Sequence, residues 1–218
     1  LAVFALALGR AVETVGGVSF MEFLAPGLIM MAIAQNAFAN TSSSIMIAKI
    51  QRNIVDTLMP PFTAHGLTLA INLGGATRGI VVGLVVGIVI AFFAPVHIHN
   101  PLAILYFAVS ASIMLALLGT IGGIWAEKFD HIAAVTNFVV TPLSFLSGTF
   151  YTIERLPDLG RFLAHINPFF YMIDGFRYGF IGTYDMPPLL GAGVLLAVNA
   201  GLWALCHRMF QTGYKLKA

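Results

Sequence analysis

Of the 218 residues, 59% are hydrophobic and only 9% charged, with a net charge of +2 and one cysteine. A soluble domain carries roughly a quarter charged residues, so this charge could not give a globule of that size a solvated surface; the class is integral membrane protein, with a length suited to one membrane domain. The balance excludes a nucleic-acid footprint, and the lone Cys206 excludes a disulfide framework or a Cys-based metal site within one chain. Lying in an apolar run, Cys206 reads as packing.

The chain opens on LAVFALAL, apolar from its first residue and without the basic start of a signal peptide. Residues 1–8 are therefore expected to be the tail of a span whose beginning is missing, which makes the chain N-terminally truncated. A spanning helix needs about 20 mostly apolar residues. Windows that qualify are roughly 23–46, 79–94 extended back to Gly74, 102–124, 132–150 and 188–206. With the truncated first span, six transmembrane helices are expected. The runs are continuous rather than alternating, which favours helices over a barrel. The fold class is all-α and polytopic.

Threading six spans alternately divides the charges. Lys49, Arg52, Arg78, Lys128, Arg208, Lys215 and Lys217 fall on one side with Asp56, Glu127 and Asp130. Arg10, Arg155, Arg161 and Arg177 fall on the other with the remaining acids. The more basic side is expected to be cytoplasmic and to hold the C-terminus.

Two connections are unusual. In KIQRNIVDTLMPPFTAHG, residues Ile47, Ile50, Ile54 and Leu58 form one helical stripe, with Lys49, Gln51, Arg52, Asn53 and Asp56 on the other face. Arg52 can reach Asp56 at i+4, and Pro60-Pro61 stops the helix. Residues 62–77 are apolar but interrupted by His65, Asn72 and Thr77. They read as an interfacial helix feeding a span that starts near Arg78, or else as the cytoplasmic end of a tilted helix. The second connection follows FLSGTFYTIERLP. Residues 154–166 place Leu156, Leu159, Leu163 and Ile166 on one face, over about 20 Å, too short to span. Asn167-Pro168 breaks the helix. FFYMIDGFRYGFIGTY then holds seven aromatics in sixteen residues, with Asp174 and Arg177 at i, i+3. Two half-length helices side by side make a re-entrant hairpin, in which Asp174 and Arg177 are expected to pair with each other or across the hairpin. The alternative is two surface amphipathic helices with an aromatic belt.

Chemistry-bearing motifs are sparse. No G-x-x-x-x-G-K-[ST] occurs, so this chain cannot cradle ATP in a P-loop. His97-x-His99 has no carboxylate nearby in sequence and reads as polar loop, leaving no metal site. The Asn40-Thr41-Ser42 sequon lies at a span's cytoplasmic end, where TSSS is expected to hydrogen-bond within or between helices. No serine sits in a G-x-S-x-G elbow. Gly75, Gly79, Gly83 and Gly87, spaced by four, form a stripe that lets another helix approach closely. The expected span centres hold no charge, unlike ion-coupled carriers, which place carboxylates near the midplane.

TPLSFLSGTFYTIERLP…INPFFYMIDGFRYGFIG resembles the signature of ABC-2 type permeases, the membrane subunits of bacterial ABC exporters. QRNIVDTLMPPFTAHG and ATRGIVVGL are similar to the same family's cytoplasmic connection and following span, and the chain resembles YadH-like inner-membrane transport permeases within it. Pro142, Ser147-Gly148, Phe150-Tyr151, Leu156-Pro157, Asn167-Pro168 and Arg177 carry it most specifically. The resemblance implies one ABC-2 transmembrane domain over 1–218 in the bacterial inner membrane, with a re-entrant connector at 151–186 on the outer side. It implies a homodimer or a pairing with a sister permease, and two separate ABC ATPase subunits that bind ATP and Mg, with no cofactor in this chain.

The 49–61 segment would be the coupling helix, through Lys49, Gln51, Arg52, Asp56, Leu58, Pro60 and Pro61. The outer gate would comprise Gly148, Phe150, Tyr151, Glu154, Leu156, Pro157, Asn167, Pro168, Asp174 and Arg177. The function implied is ATP-driven export of a hydrophobic or amphipathic substrate: drug-like, lipid or lipid-linked saccharide. Membrane lipid is the other expected partner, and nucleic acid is not one. The alternatives are a stand-alone channel or carrier and a membrane-embedded enzyme acting on lipid.

Overall fold

The computed structural model describes residues 14–15, 17–54, 63–149 and 157–216. A two-residue hairpin pairs β1 (Thr14–Val15) with β2 (Val18–Ser19), turning through Gly17 at a positive φ of 84°. The rest is helical. Ser19 Oγ caps α1 (Phe20–Ile50) by accepting the Glu22 amide at 3.3 Å. Thr63 caps α2 (Ala64–Ala91) through the Gly66 amide. Asn100 caps α3 (Pro101–Trp125) through Leu102 and Ala103, with Pro101 at the first helical position where no N–H is needed.

Next come α4 (Phe129–Val135), a π-helical turn (Thr136–Val140) and α5 (Thr141–Phe145). The π turn has a local cause. Pro142 cannot donate to the carbonyl four residues back, and its ring crowds that carbonyl, so the helix widens just before it. Short α6 (Asp158–Ile166) and α7 (Pro168–Ile181) precede α8 (Pro188–Thr212), which ends at left-handed Gly213.

Among the described residues four helices, α1, α2, α3 and α8, are long and apolar enough to cross a membrane, and the chain is an all-α polytopic membrane protein. The expected first span, 1–8, lies outside the described residues. The fifth window, 132–150, is the α4–π–α5 run, interrupted by the π turn. Helix α2 corrects one expectation. It runs unbroken through 62–77 territory from Ala64 to Ala91, so no separate interfacial helix precedes a span at Arg78. Of the polar residues in this stretch, His65 and Thr77 are exposed on the helix surface, and Asn72 is satisfied inside the fold. Asn72 donates to Thr68 O at 2.7 Å and accepts from Thr120 Oγ1 at 3.0 Å. Arg78 consequently stands near the middle of a helix, exposed on its surface.

The core centres on α1, which packs against α2, α3 and α7. Glycines make the approach possible. An added Cβ would lie 2.3 Å from Thr41 Cγ2 at Gly75, 2.8 Å from Ile33 O at Gly79 and 2.2 Å from Ile33 Cγ1 at Gly83, whereas at Gly87 its nearest neighbour is Ile29 at 3.6 Å. From the other side Gly119 and Gly123 bring α3 against Phe38 O and Ser42 O. Hydrogen bonds lock the three helices: Thr41 Oγ1 donates to Ala116 O at 2.9 Å and Ser112 Oγ to Ala76 O at 2.7 Å. TSSS therefore bonds both within α1, Ser42 to Phe38 O, and between helices.

Candidate functional site

Helix α7 carries the most unusual chemistry. Pro168 opens it, and Asn167 Oδ1 caps it by accepting the Phe169 amide at 3.0 Å. Gly182, left-handed, closes it. Residues 169–177 are all buried, so α7 is an interior helix rather than a surface one. Two glycines one turn apart seat it on α3: a Cβ at Gly175 would lie 2.1 Å from Phe107 Cζ, and one at Gly179 2.5 Å from Ile104 Cγ1. The Gly179 carbonyl accepts both the His99 and Asn100 amides of the α2–α3 loop, at 2.9 and 2.8 Å. The other end of α7, about 20 Å away by helical rise, is held by Asn167. Its Nδ2 donates to Leu143 O and Ser147 Oγ, both at 2.9 Å, and Ser147 Oγ donates in turn to Leu143 O.

Asp174 and Arg177 are each only 3% exposed. Of the two arrangements expected, direct pairing is not found: no ion pair joins them among the described residues. Each serves the backbone instead. Asp174 accepts the Asp185 amide at 2.9 Å and the Met186 amide at 3.0 Å, fastening the approach to α8 onto α7. Arg177 Nη2 donates to Gly148 O at 2.6 Å, and its guanidinium lies 3.9 Å over the Phe23 ring. Gly148 presents that carbonyl from a left-handed turn at φ 73°. The i, i+3 spacing puts both side chains on one stretch of helix, yet desolvated backbone groups on either side claim them first. Arg177 thereby joins α7, the turn after α5 and the start of α1.

Of the remaining expected gate residues, Pro157 precedes α6, and Phe150, Tyr151, Glu154 and Leu156 lie outside the described residues. Helix α6 exposes Leu159, Phe162, Leu163 and Ile166 and buries Ala164. His97 Nδ1 meets Glu22 Oε1 at 2.7 Å, and His99 stacks edge-on to Tyr178. No group of three or more metal-ligating side chains occurs among the described residues. An apolar cavity of about 280 Å³ opens between α1, α2, α3 and α7, lined among others by Ile33, Gly83, Leu84, Ile88, Phe176 and Phe180.

At the opposite end of the bundle, the start of the expected 49–61 segment is described as far as Ile54. Helix α1 stops at Ile50, and Arg52 takes a left-handed φ of 57°, which no helix accommodates. The isoleucines also divide, with Ile47 and Ile50 exposed and Ile54 buried in a cluster with Ile45, Leu67 and Phe210. Lys49 Nζ donates to the carbonyls of Gly123, Ile124 and Ala126 at 3.4, 2.7 and 2.5 Å, capping α3 where its dipole favours a cation. Gln51 is exposed in the turn; Asp56, Leu58, Pro60 and Pro61 lie outside the described residues. Sequence reasoning missed the Lys49 cap and the Gly119–Gly123 contact. The second had a visible signal, two glycines four apart.

Residues 1–181 match the ABC-2 type transporter family. The chain is 38% identical over 216 residues to the inner membrane transport permease YadH of Escherichia coli K12, covering 99% of this chain and 84% of that protein. It is 28% identical over 189 residues to nodulation protein J of Rhizobium leguminosarum bv. viciae, covering 86% and 73%. Identity to nodulation protein J of Neorhizobium galegae is 24% over 194 residues, covering 88% and 74%.

Proposed function

This chain belongs to the ABC-2 type transporter family, and from that premise we propose that it is the permease of an ATP-driven exporter for a hydrophobic or amphipathic substrate. That it is a multi-pass inner-membrane permease, the membrane subunit of an ABC transporter, follows from the family and its apolar helices. The observation that carries the driven reading is that α2, α3 and α8 hold no carboxylate and α1 only Glu22, in its first turn, while the buried Asp174 of α7 is committed to the Asp185 and Met186 amides. Proton- and ion-coupled carriers use carboxylates near the midplane. Energy then comes from two partner ATPases that bind ATP and Mg, acting on two permease copies. The apolar cavity beside Gly83 suits an apolar cargo.

In this mechanism ATP binding closes the ATPases. The motion enters through the connection after Ile50 and passes along α1 and α2, and cargo leaves past the α6–α7 connector. The decisive experiment reconstitutes the full-length permease with its genomically neighbouring ABC ATPase in proteoliposomes. Export of a fluorescent amphiphile is expected with ATP and Mg and absent with an ion gradient alone; gradient-driven movement without the ATPase would establish a carrier. In the same system Asp56→Lys is expected to reduce stimulated ATP hydrolysis several-fold with the permease still folded. Unchanged stimulation would remove the connection from coupling.

The connector is proposed to be re-entrant from the outer side. In support, α7 reaches from the α2–α3 loop to a buried Asn167, and neither short helix could cross about 30 Å of hydrocarbon. With Cys206 replaced, cysteines at Thr152 and Asp185 are expected to react with an impermeant thiol reagent from outside. A cysteine at Asn167 is expected to be protected from both sides. Labelling of Asn167 from the cytoplasm with Thr152 still external would mean a full crossing.

A further inference from the structure

We propose that the groove between the C-terminal ends of α3 and α8 is a binding site for one anionic phospholipid, with an acyl chain along its apolar lining and the phosphate at Arg208. The groove measures about 400 Å³. It is lined by the apolar Ile121, Leu205 and Met209 together with Trp125, Arg208, Thr212 and Tyr214. Along α8, Leu205 and Arg208 are three residues apart, and along α3, Ile121 and Trp125 are four apart, so both helices present an apolar side chain one turn before a polar or amphipathic one. That order is the order of groups along a phospholipid. Trp and Tyr are the side chains that settle at headgroup level, with an apolar ring and a polar edge.

The groove is built by a specific chain reversal. After left-handed Gly213, the Tyr214 amide donates back to Met209 O at 3.1 Å, and Lys215 takes a φ of 52°. Lys215 Nζ then crosses to α3, donating to Glu127 Oε1 at 2.7 Å and Trp125 O at 3.3 Å, 5.9 Å above the Trp125 ring. This closes the wall that holds Tyr214 in place. It also consumes the one carboxylate bonded there: the hydrogen bond from Lys215 keeps the Glu127 carboxyl ionised below its usual range. Lys49 spends its ammonium on the last carbonyls of α3. Arg208 is different. It is exposed, and among the described residues its guanidinium has no hydrogen-bonding or ionic partner.

Charge decides the occupant. A guanidinium offers a planar fork of donors that matches a phosphodiester, and basic pockets between membrane helices recognise anionic headgroups. The apolar lining selects a lipid over a soluble anion, and the cation selects an anionic lipid over a zwitterionic one. The orientation proposed above makes the cytoplasmic leaflet its source; only the leaflet depends on that reading.

The test uses the full-length permease in nanodiscs, carrying Trp203→Phe so that Trp125 is the fluorophore this chain contributes. Brominated-acyl phosphatidylglycerol at about a tenth of a phosphatidylcholine bilayer is expected to quench Trp125 about fivefold more than brominated phosphatidylcholine at the same fraction. Arg208→Gln is expected to abolish the excess, leaving the phosphatidylcholine value unchanged. Lys128→Gln, a nearby exposed cation outside the groove, is expected to retain it. Equal quenching by the two lipids would overturn the site, as would an excess that survives Arg208→Gln. Equal loss in both variants would make the preference a diffuse surface field and would overturn it too. No ATPase enters the measurement, so its failure would leave the transport reading standing, and failed transport would leave the lipid site standing.

Discussion

Gly79→Leu is expected to lower the melting temperature of the detergent-solubilised permease by about 5 °C or more, while Gly74→Leu leaves it within about 1 °C. The two glycines are five residues apart on α2, but their surroundings differ. A Cβ at Gly79 would stand 2.8 Å from Ile33 O and 2.9 Å from both Ala37 Cβ and Ser112 Oγ. Ile33 O belongs to the backbone of α1 and cannot rotate away. Ser112 Oγ is already committed to Ala76 O at 2.7 Å. The added side chain must therefore push α2 off the α1–α3 pair, with a typical overpacking cost of ~1–3 kcal/mol. Gly74 has nothing within 4 Å of an added Cβ, and leucine favours helix over glycine. Equal melting of the two variants would show that the α1–α2 contact does not limit stability.

Arg177→Leu is expected to cut ATP-dependent export about tenfold or more while co-purification with the ATPase persists. The guanidinium links three separate segments: α7 itself, the turn after α5 through Gly148 O, and the first turn of α1 through the Phe23 ring. A hydrogen bond to a charged group is worth ~1.5–3 kcal/mol, and a desolvated cation–π contact adds up to ~2 kcal/mol. Leucine fills part of the space but leaves the Gly148 carbonyl without its donor. Lysine is not expected to rescue, because an ammonium cannot bond that carbonyl and lie flat on the ring together. Asp174→Ala tests the companion contact. It frees the Asp185 and Met186 amides and loosens α7 from the start of α8 without touching Gly148. Wild-type export by Arg177→Leu would remove the connector from the transport path.

Some of this was legible in the chain alone. The apolar windows 23–46, 102–124 and 188–206 correspond to α1, α3 and α8, whose bounds are Phe20–Ile50, Pro101–Trp125 and Pro188–Thr212. Length and continuity of an apolar run are local properties, and in a membrane they nearly suffice to specify a helix. The break at Asn167-Pro168 was equally local, since the asparagine caps and the proline starts the next helix. The family likeness rested on a string of such local features.

Tertiary structure decided where polar groups find their partners. Asn72 looked like a helix interruption, yet Thr68 and Thr120 satisfy it inside one 28-residue helix. Asp174 and Arg177 looked like a pair at i, i+3, yet each is turned to a different backbone segment. Lys49 looked like part of an exposed polar face, yet its ammonium closes the end of a helix more than seventy residues away. The physical reason is common to all three. A desolvated carbonyl or amide must be paired with whatever donor or acceptor the fold brings within about 3 Å, and that neighbour is set by helix packing rather than by spacing along the chain.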